Sequence, residues 1–127
     1  MGIGMQQFSI KEDASVRVEV DYNFLSTGWV RRVYKVKPNM PLQIPITPHA
    51  HDGEQVIILL EGSGRLAYED EDESIKVISL TPNSYYSIPP FVPHQIELVG
   101  GIMEVFFPVA SARNPNIVVG AESFFKG

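Results

Sequence analysis

The sequence predicts an all-β chain, a sandwich or barrel built from short strands. Three observations carry that expectation. Apolar residues recur with period two rather than 3.6, ten glycines and ten prolines punctuate 127 residues, and no stretch shows an amphipathic helical pattern. A chain of this length has room for one hydrophobic core, so a single domain over 1–127 is expected.

The elements follow in order. Val16, Val18 and Val20 alternate with Arg17 and Glu19, the pattern of a half-buried strand. Trp29 to Val36 is again rich in β-formers, and Pro38-Asn39-Met40-Pro41 reads as a turn. The run Gln55 to Leu60 is apolar on both faces, which demands two coverings, a core on one side and a second sheet or subunit on the other. Arg65–Tyr68 and Ile75–Leu80 read as a hairpin whose tip, Glu69 to Glu73, is a solvated acidic loop; it lacks the spaced ligands and central glycine of a calcium loop. Thr81-Pro82-Asn83 turns the chain, Tyr85–Ile88 leads into Pro89-Pro90, and His94–Leu98 and Met103–Phe107 form two further alternating runs. The barrel core is expected at about 28–108, with an N-terminal strand segment (1–27) and a tail (109–127) packed on the barrel or a partner. Ile117-Val118-Val119 and Phe124-Phe125 are the tail's apolar pieces.

Composition narrows the chemistry. A net charge of -5 gives no electrostatic grip on nucleic acid. Without cysteine there is no disulfide, and any metal must take nitrogen and oxygen ligands. No run approaches the roughly 20 apolar residues of a membrane span, and Met1 to Met5 lacks a signal-peptide pattern, so a cytoplasmic location is the expectation.

The three histidines carry the interest. His49 and His51 stand at i and i+2, which on an extended chain places both imidazoles on one side. Gln55 opens the next strand with a side-chain carbonyl, a hard oxygen donor. His94 begins a run in which His94, Ile96 and Leu98 share the apolar, inward face, while Gln95 and Glu97 take the other. Tyr34, Tyr85 and Tyr86 are candidates for proton transfer if they face inward. Arg65, Arg31 and Arg32 are candidates for pairing with a carboxylate; at most one of the last two can face inward, and a solvent-facing state is expected for each. No organic cofactor is read from the chain.

His49-x-His51-x-x-x-Gln55, then six intervening residues and Gly62, resembles the first motif of the cupin superfamily, with Gln in place of the usual Glu. Asn83 through Pro89-Pro90-Phe91-Val92-Pro93-His94 resembles its second motif. Three positions depart from that pattern. Asn83 stands for a glycine, Phe91 for a glycine at the pocket mouth, and Leu98 for a frequent asparagine. The resemblance implies a small double-stranded β-helix, or jelly roll. It also implies one divalent ion (Fe, Mn, Ni, Zn or Co) held by His49, His51, Gln55 and His94. The form His49-x-His51-x-x-Glu54-Gln55 is similar to small cupins that linearise unsaturated uronates. It implies a metal-dependent isomerase, lyase or ring-opening enzyme on a small anionic or sugar-derived substrate, with a dioxygenase or a non-catalytic binder as alternatives. The doubly apolar strand adds the expectation of a homodimer.

Overall fold

Three strands dominate the architecture, and each is long because it bends instead of ending. The computed structural model describes residues 10–12, 16–21, 27–109, 117–119 and 122–125. Its strands are β1 (Ile10–Glu12), β2 (Val16–Asp21), β3 (Trp29–Ala50), β4 (Gln55–Glu69), β5 (Ile75–Leu80), β6 (Ser84–Ile88), β7 (His94–Pro108) and β8 (Ile117–Val118). Every pairing is antiparallel. The order is β1-β2-β3-β7-β4-β5, with β6 on β4 and β8 on β3.

The expected period-two runs are all strands, and the hairpin of β4 with β5 forms in the register Gly64↔Leu80 to Glu69↔Ile75. Its acidic tip is an ordinary turn. The Asp70 carboxylate accepts from the Glu71 amide at 2.8 Å and that of Asp72 from the Ser74 amide at 3.0 Å. One expectation needs correction. The runs read as separate strands on either side of Pro38–Pro41, Gly62 and Gly100 are halves of β3, β4 and β7. The ladder shifts register between Val36 and Pro41, and again between Leu59 and Glu61 and between Gly62 and Ser63. Proline and glycine mark bulges there, where a strand bends while its neighbours stay paired.

Gly62 and Gly101 are partners at the sharpest of these bends, with φ of +92° and +109°. A Cβ on Gly101 would strike the Glu61 carbonyl oxygen, and one on Gly62 that of Gly100. Only glycine meets both the backbone angle and the close approach.

Because β4 bends, its first half pairs with β6 (Gln55↔Ile88 to Leu59↔Ser84) and its second half with β5. The inward residues of both halves form one core. Ile57, Leu59, Met103 and Val105 come from one half, and Leu66, Leu80, Ile96 and Leu98 from the other. Two sheet halves therefore face each other, the jelly-roll arrangement that the motif resemblance implies. Leu98, which stands where a polar residue is frequent, is fully buried in this core.

The tail packs on the barrel where it is described. β8 pairs with the end of β3 through His49↔Val118 and Ala50↔Ile117, and the Val119 amide donates to Pro48 O at 3.1 Å. Gln95, turned away from the core, is fully buried all the same. Its Oε1 accepts from the Phe124 amide at 2.7 Å and from Ser123 Oγ at 3.0 Å, while its Nε2 donates to Gln43 Oε1 at 3.2 Å. The other parts of the N-terminal segment and of the tail lie outside the described residues. On the outward side of β4, Val56 and Ile58 are half-buried, Leu60 is 39% exposed, and Tyr85 of β6 beside them is 74% exposed.

Candidate metal centre

Strand pairing builds the site at one end of the barrel. His49 near the end of β3 is the direct partner of His94, the first residue of β7, and His94 is in turn the partner of Tyr68 on β4. Paired residues share a face, so His49, His94 and Tyr68 form one inward row, in line with Ile96 and Leu98. His51 follows two residues after His49, and its ring centroid lies 5.0 Å from that of His94 at an angle of 44°. Gln55 opens β4 on the same face as Ile57 and Leu59, opposite Ile88 of β6. The loops that carry these residues are tied together. The Phe91 amide donates to His51 O at 2.7 Å, and the Glu69 amide to Pro93 O at 2.9 Å.

Hydrogen bonds set the imidazoles' tautomers. His49 Nδ1 lies 2.6 Å from Thr47 O and His94 Nδ1 lies 2.9 Å from Val92 O. A carbonyl oxygen can only accept, so both Nδ1 atoms carry the proton and each neutral ring keeps its lone pair on Nε2. His94 is 1% exposed, and burial pushes its imidazole down to about 4. The bond to Val92 O opposes that shift, and the neighbouring His51 and His49 add to it. His94 is therefore a neutral acceptor at neutral pH.

Gln55 Oε1 is a buried oxygen with no hydrogen-bond partner. A buried acceptor left unpaired costs about 1–3 kcal/mol, so its persistence needs a reason. Glu54 does not share this position; it is exposed and takes a hydrogen bond from Ser87 Oγ. The chemistry of the set fits a divalent ion, with imidazole nitrogens oriented through their carbonyl-bonded Nδ1 atoms and one hard oxygen. Among the described residues no group of three or more His, Cys, Asp and Glu side chains stands in a metal-holding arrangement. Ligation by all three histidines therefore requires side-chain rearrangement.

The remaining candidates divide by face. Tyr34 points inward, 8% exposed, and its hydroxyl accepts from Arg32 Nη1 at 3.2 Å. Tyr86 also turns inward, but its hydroxyl accepts from the Thr81 amide at 3.0 Å. Tyr85 alternates with Tyr86 on β6 and is 74% exposed, so it meets the site only as part of the lining of the cleft described below. Arg65 does not join the site. It sits on the outer face, where it binds Glu97 Oε1 through Nη2 at 2.6 Å and lies 4.8 Å from the Phe125 ring centroid. Arg31 pairs with Glu104, while Arg32, expected in solvent, turns inward.

Tyr68 is the residue that sequence reasoning missed. Its alternation with Leu66 is visible in the chain, but its place beside His94 comes from pairing across 26 residues. A cleft of about 440 Å³ opens there, lined by Leu66, Tyr68, Tyr86, Ile88, Pro89 and Val92 among others. Phe91 adopts the left-handed conformation of the glycine it stands for, with φ +65°, as does Asn83 at +66°. Its ring is 63% exposed and lies outside the lining of this cleft.

The depressed His94 value has a measurable consequence. Between pH 6.5 and about 4 the unfolded chain takes up a proton at this position that the folded chain refuses. Stability from this group is intact above 6.5 and is lost as pH falls through that window, by about 3 kcal/mol in all. Denaturant titrations of the metal-free protein across this range should show a shallower pH dependence for His94→Asn than for the unsubstituted protein. Parallel curves would contradict the assignment.

Comparison with known proteins places these features. Residues 40–107 match the cupin domain family. The fold is similar to that of Bacillus subtilis oxalate decarboxylase, in a structure concerned with its Mn(II) centres (TM-score 0.70, 15% identity, covering 92% of this chain and 32% of the other). A second structure of that enzyme, at pH 4.6, gives TM-score 0.71 and 14% identity, covering 92% and 31%. The chain thus spans about a third of the length of those proteins. Among curated proteins no sequence matches. The family match takes in more than half of the chain, including the strands that carry the histidines, and the chain belongs to the cupin domain family.

Proposed function

We propose that His49, His51, Gln55 and His94 hold one divalent metal ion and that the protein uses it on a small anionic substrate, in a lyase or isomerase reaction. The observation that carries this reading is the unpaired, buried Gln55 Oε1 at the same barrel end as the neutral His94. A cation gives that oxygen the partner it lacks. The oxalate decarboxylase of the same fold, described in one structure for its Mn(II) centres, supports a small carboxylate as the substrate class.

The residues have distinct tasks. His49 and His94 present Nε2 because Thr47 O and Val92 O hold their Nδ1 protons. β8 braces the strand that carries His49. Leu66, Ile88 and Val92 give the cleft an apolar wall, and Tyr68, the strand partner of His94, lines it too. The bound ion would supply Lewis-acid polarisation of a substrate carboxylate or carbonyl. All four proposed ligands are neutral, so the ion's full charge remains available to an anion.

That charge argument is testable with Gln55→Glu. The variant should hold Mn(II) at least as tightly, because the new ligand is anionic, yet bind oxalate to the loaded protein about tenfold more weakly. Equal oxalate affinity in the two proteins would remove the role given to the neutral ligand. Turnover of small carboxylates by the Mn(II)-loaded protein without oxygen consumption supports lyase or isomerase chemistry, whereas stoichiometric oxygen uptake would replace it with dioxygenase chemistry.

The apolar outer strip of Val56, Ile58, Leu60 and Tyr85 would be covered by a second copy of the chain. Sedimentation at micromolar concentration should show a dimer, and Leu60→Lys should dissociate it. A monomer throughout would mean that the strip is simply solvated.

A further inference from the structure

The geometry points to Arg32 as the anchor for a second anionic group of the substrate, set apart from the group that meets the metal; this rests on the metal site proposed above. Three arginines have described side chains. Arg31 and Arg65 face outward, and each has a carboxylate, Glu104 and Glu97. Arg32 is the one that turns inward, half-buried, opposite Val105 of β7. Its contacts are neutral, the Tyr34 hydroxyl at 3.2 Å and the Phe107 ring with its centroid 5.1 Å from Cζ. Among the described residues no carboxylate pairs with it.

A guanidinium carries five N–H donors and a charge that neutral pH never removes. Removing such a group from water without a counter-charge is costly, and an anion in the barrel offsets that cost. Tyr34 and Phe107 hold the planar group from two sides, so its orientation is set before a ligand arrives.

Register places this group near the metal site. Arg32, Val105 and Ile57 form one inward row across β3, β7 and β4. Gln55 lies two residues from Ile57 on the same face. Two strand spacings and one two-residue step separate the Cα atoms of Arg32 and Gln55 by about 12 Å. Both residues sit on the inward face, and a ligand that joins the metal to the guanidinium would be a molecule of a few carbons. The substrate class is then a small di-acid. A chelating hydroxy- or oxo-carboxylate lies at one end and a separate carboxylate at the other.

Malate and 2-hydroxybutyrate share a four-carbon skeleton and a chelating head, and only malate has the second carboxylate. Calorimetric titration of the Mn(II)-loaded protein should show malate binding at least about tenfold more tightly. Arg32→Gln should erase that preference while leaving metal content and 2-hydroxybutyrate affinity unchanged. Tyr34→Phe, which keeps the charge but loosens its aim, should reduce the preference by roughly threefold. Equal affinity for the two acids in the unsubstituted protein, or a preference that survives Arg32→Gln, would overturn the assignment. The metal reading fails separately, if no Mn(II) binds at all. In that case acetate titrated into the metal-free protein still tests Arg32. A shift of its Nε–H resonance that is absent from Arg32→Gln upholds the anion site, and no shift rejects it.

Discussion

Where Gly62 meets Gly101, two backbones lie closer than any side chain would allow, and the rest of the structure depends on that contact. It lets β4 and β7 bend together without losing their pairing. Each strand then contributes one half to either sheet, and the two halves close on a common core. The far ends of the bent strands come back to the same end of the barrel. His94 stands at the start of β7 and Gln55 at the start of β4, each at a strand end remote from the bend.

What gathers at that end is chemically one-sided. His94 and Gln55 present buried acceptors, and burial keeps His94 uncharged. The cleft beside them is bounded mainly by aliphatic and aromatic side chains, and the Arg32 guanidinium turns inward on β3. A site made of neutral acceptors and one cation has no anion of its own. Under the proposals above, the acceptors would take a cation and the guanidinium an anion, a division of labour suited to a metal-bound acid.

Much of this was legible in the chain. The alternation in His94, Ile96 and Leu98 correctly placed His94 inside, and His49-x-His51 marked two residues that the fold sets beside it. The β4–β5 hairpin followed from its apolar runs and acidic tip. Continuity did not follow. A glycine or proline between two apolar runs looks the same whether the strand ends or bends, and the difference lies in partners far away in sequence. For the same reason Tyr68 went unnoticed, since its importance comes from lying opposite His94. Local pattern showed that only one of Arg31 and Arg32 could turn inward, but the choice between them depends on the register with Val105 and Phe106. Gln95 is the opposite case. An outward polar residue on an alternating strand ordinarily meets water, yet the returning tail buries it.

The assignment of the four ligands is tested most directly by elemental analysis of protein purified without a metal-affinity tag, beside His49→Ala and His94→Ala. The proposal predicts close to one divalent ion per chain in the unsubstituted protein and its loss in both variants. A folded protein that contains no metal, and takes up none on titration with Mn(II), Fe(II), Ni(II) or Zn(II), would contradict it.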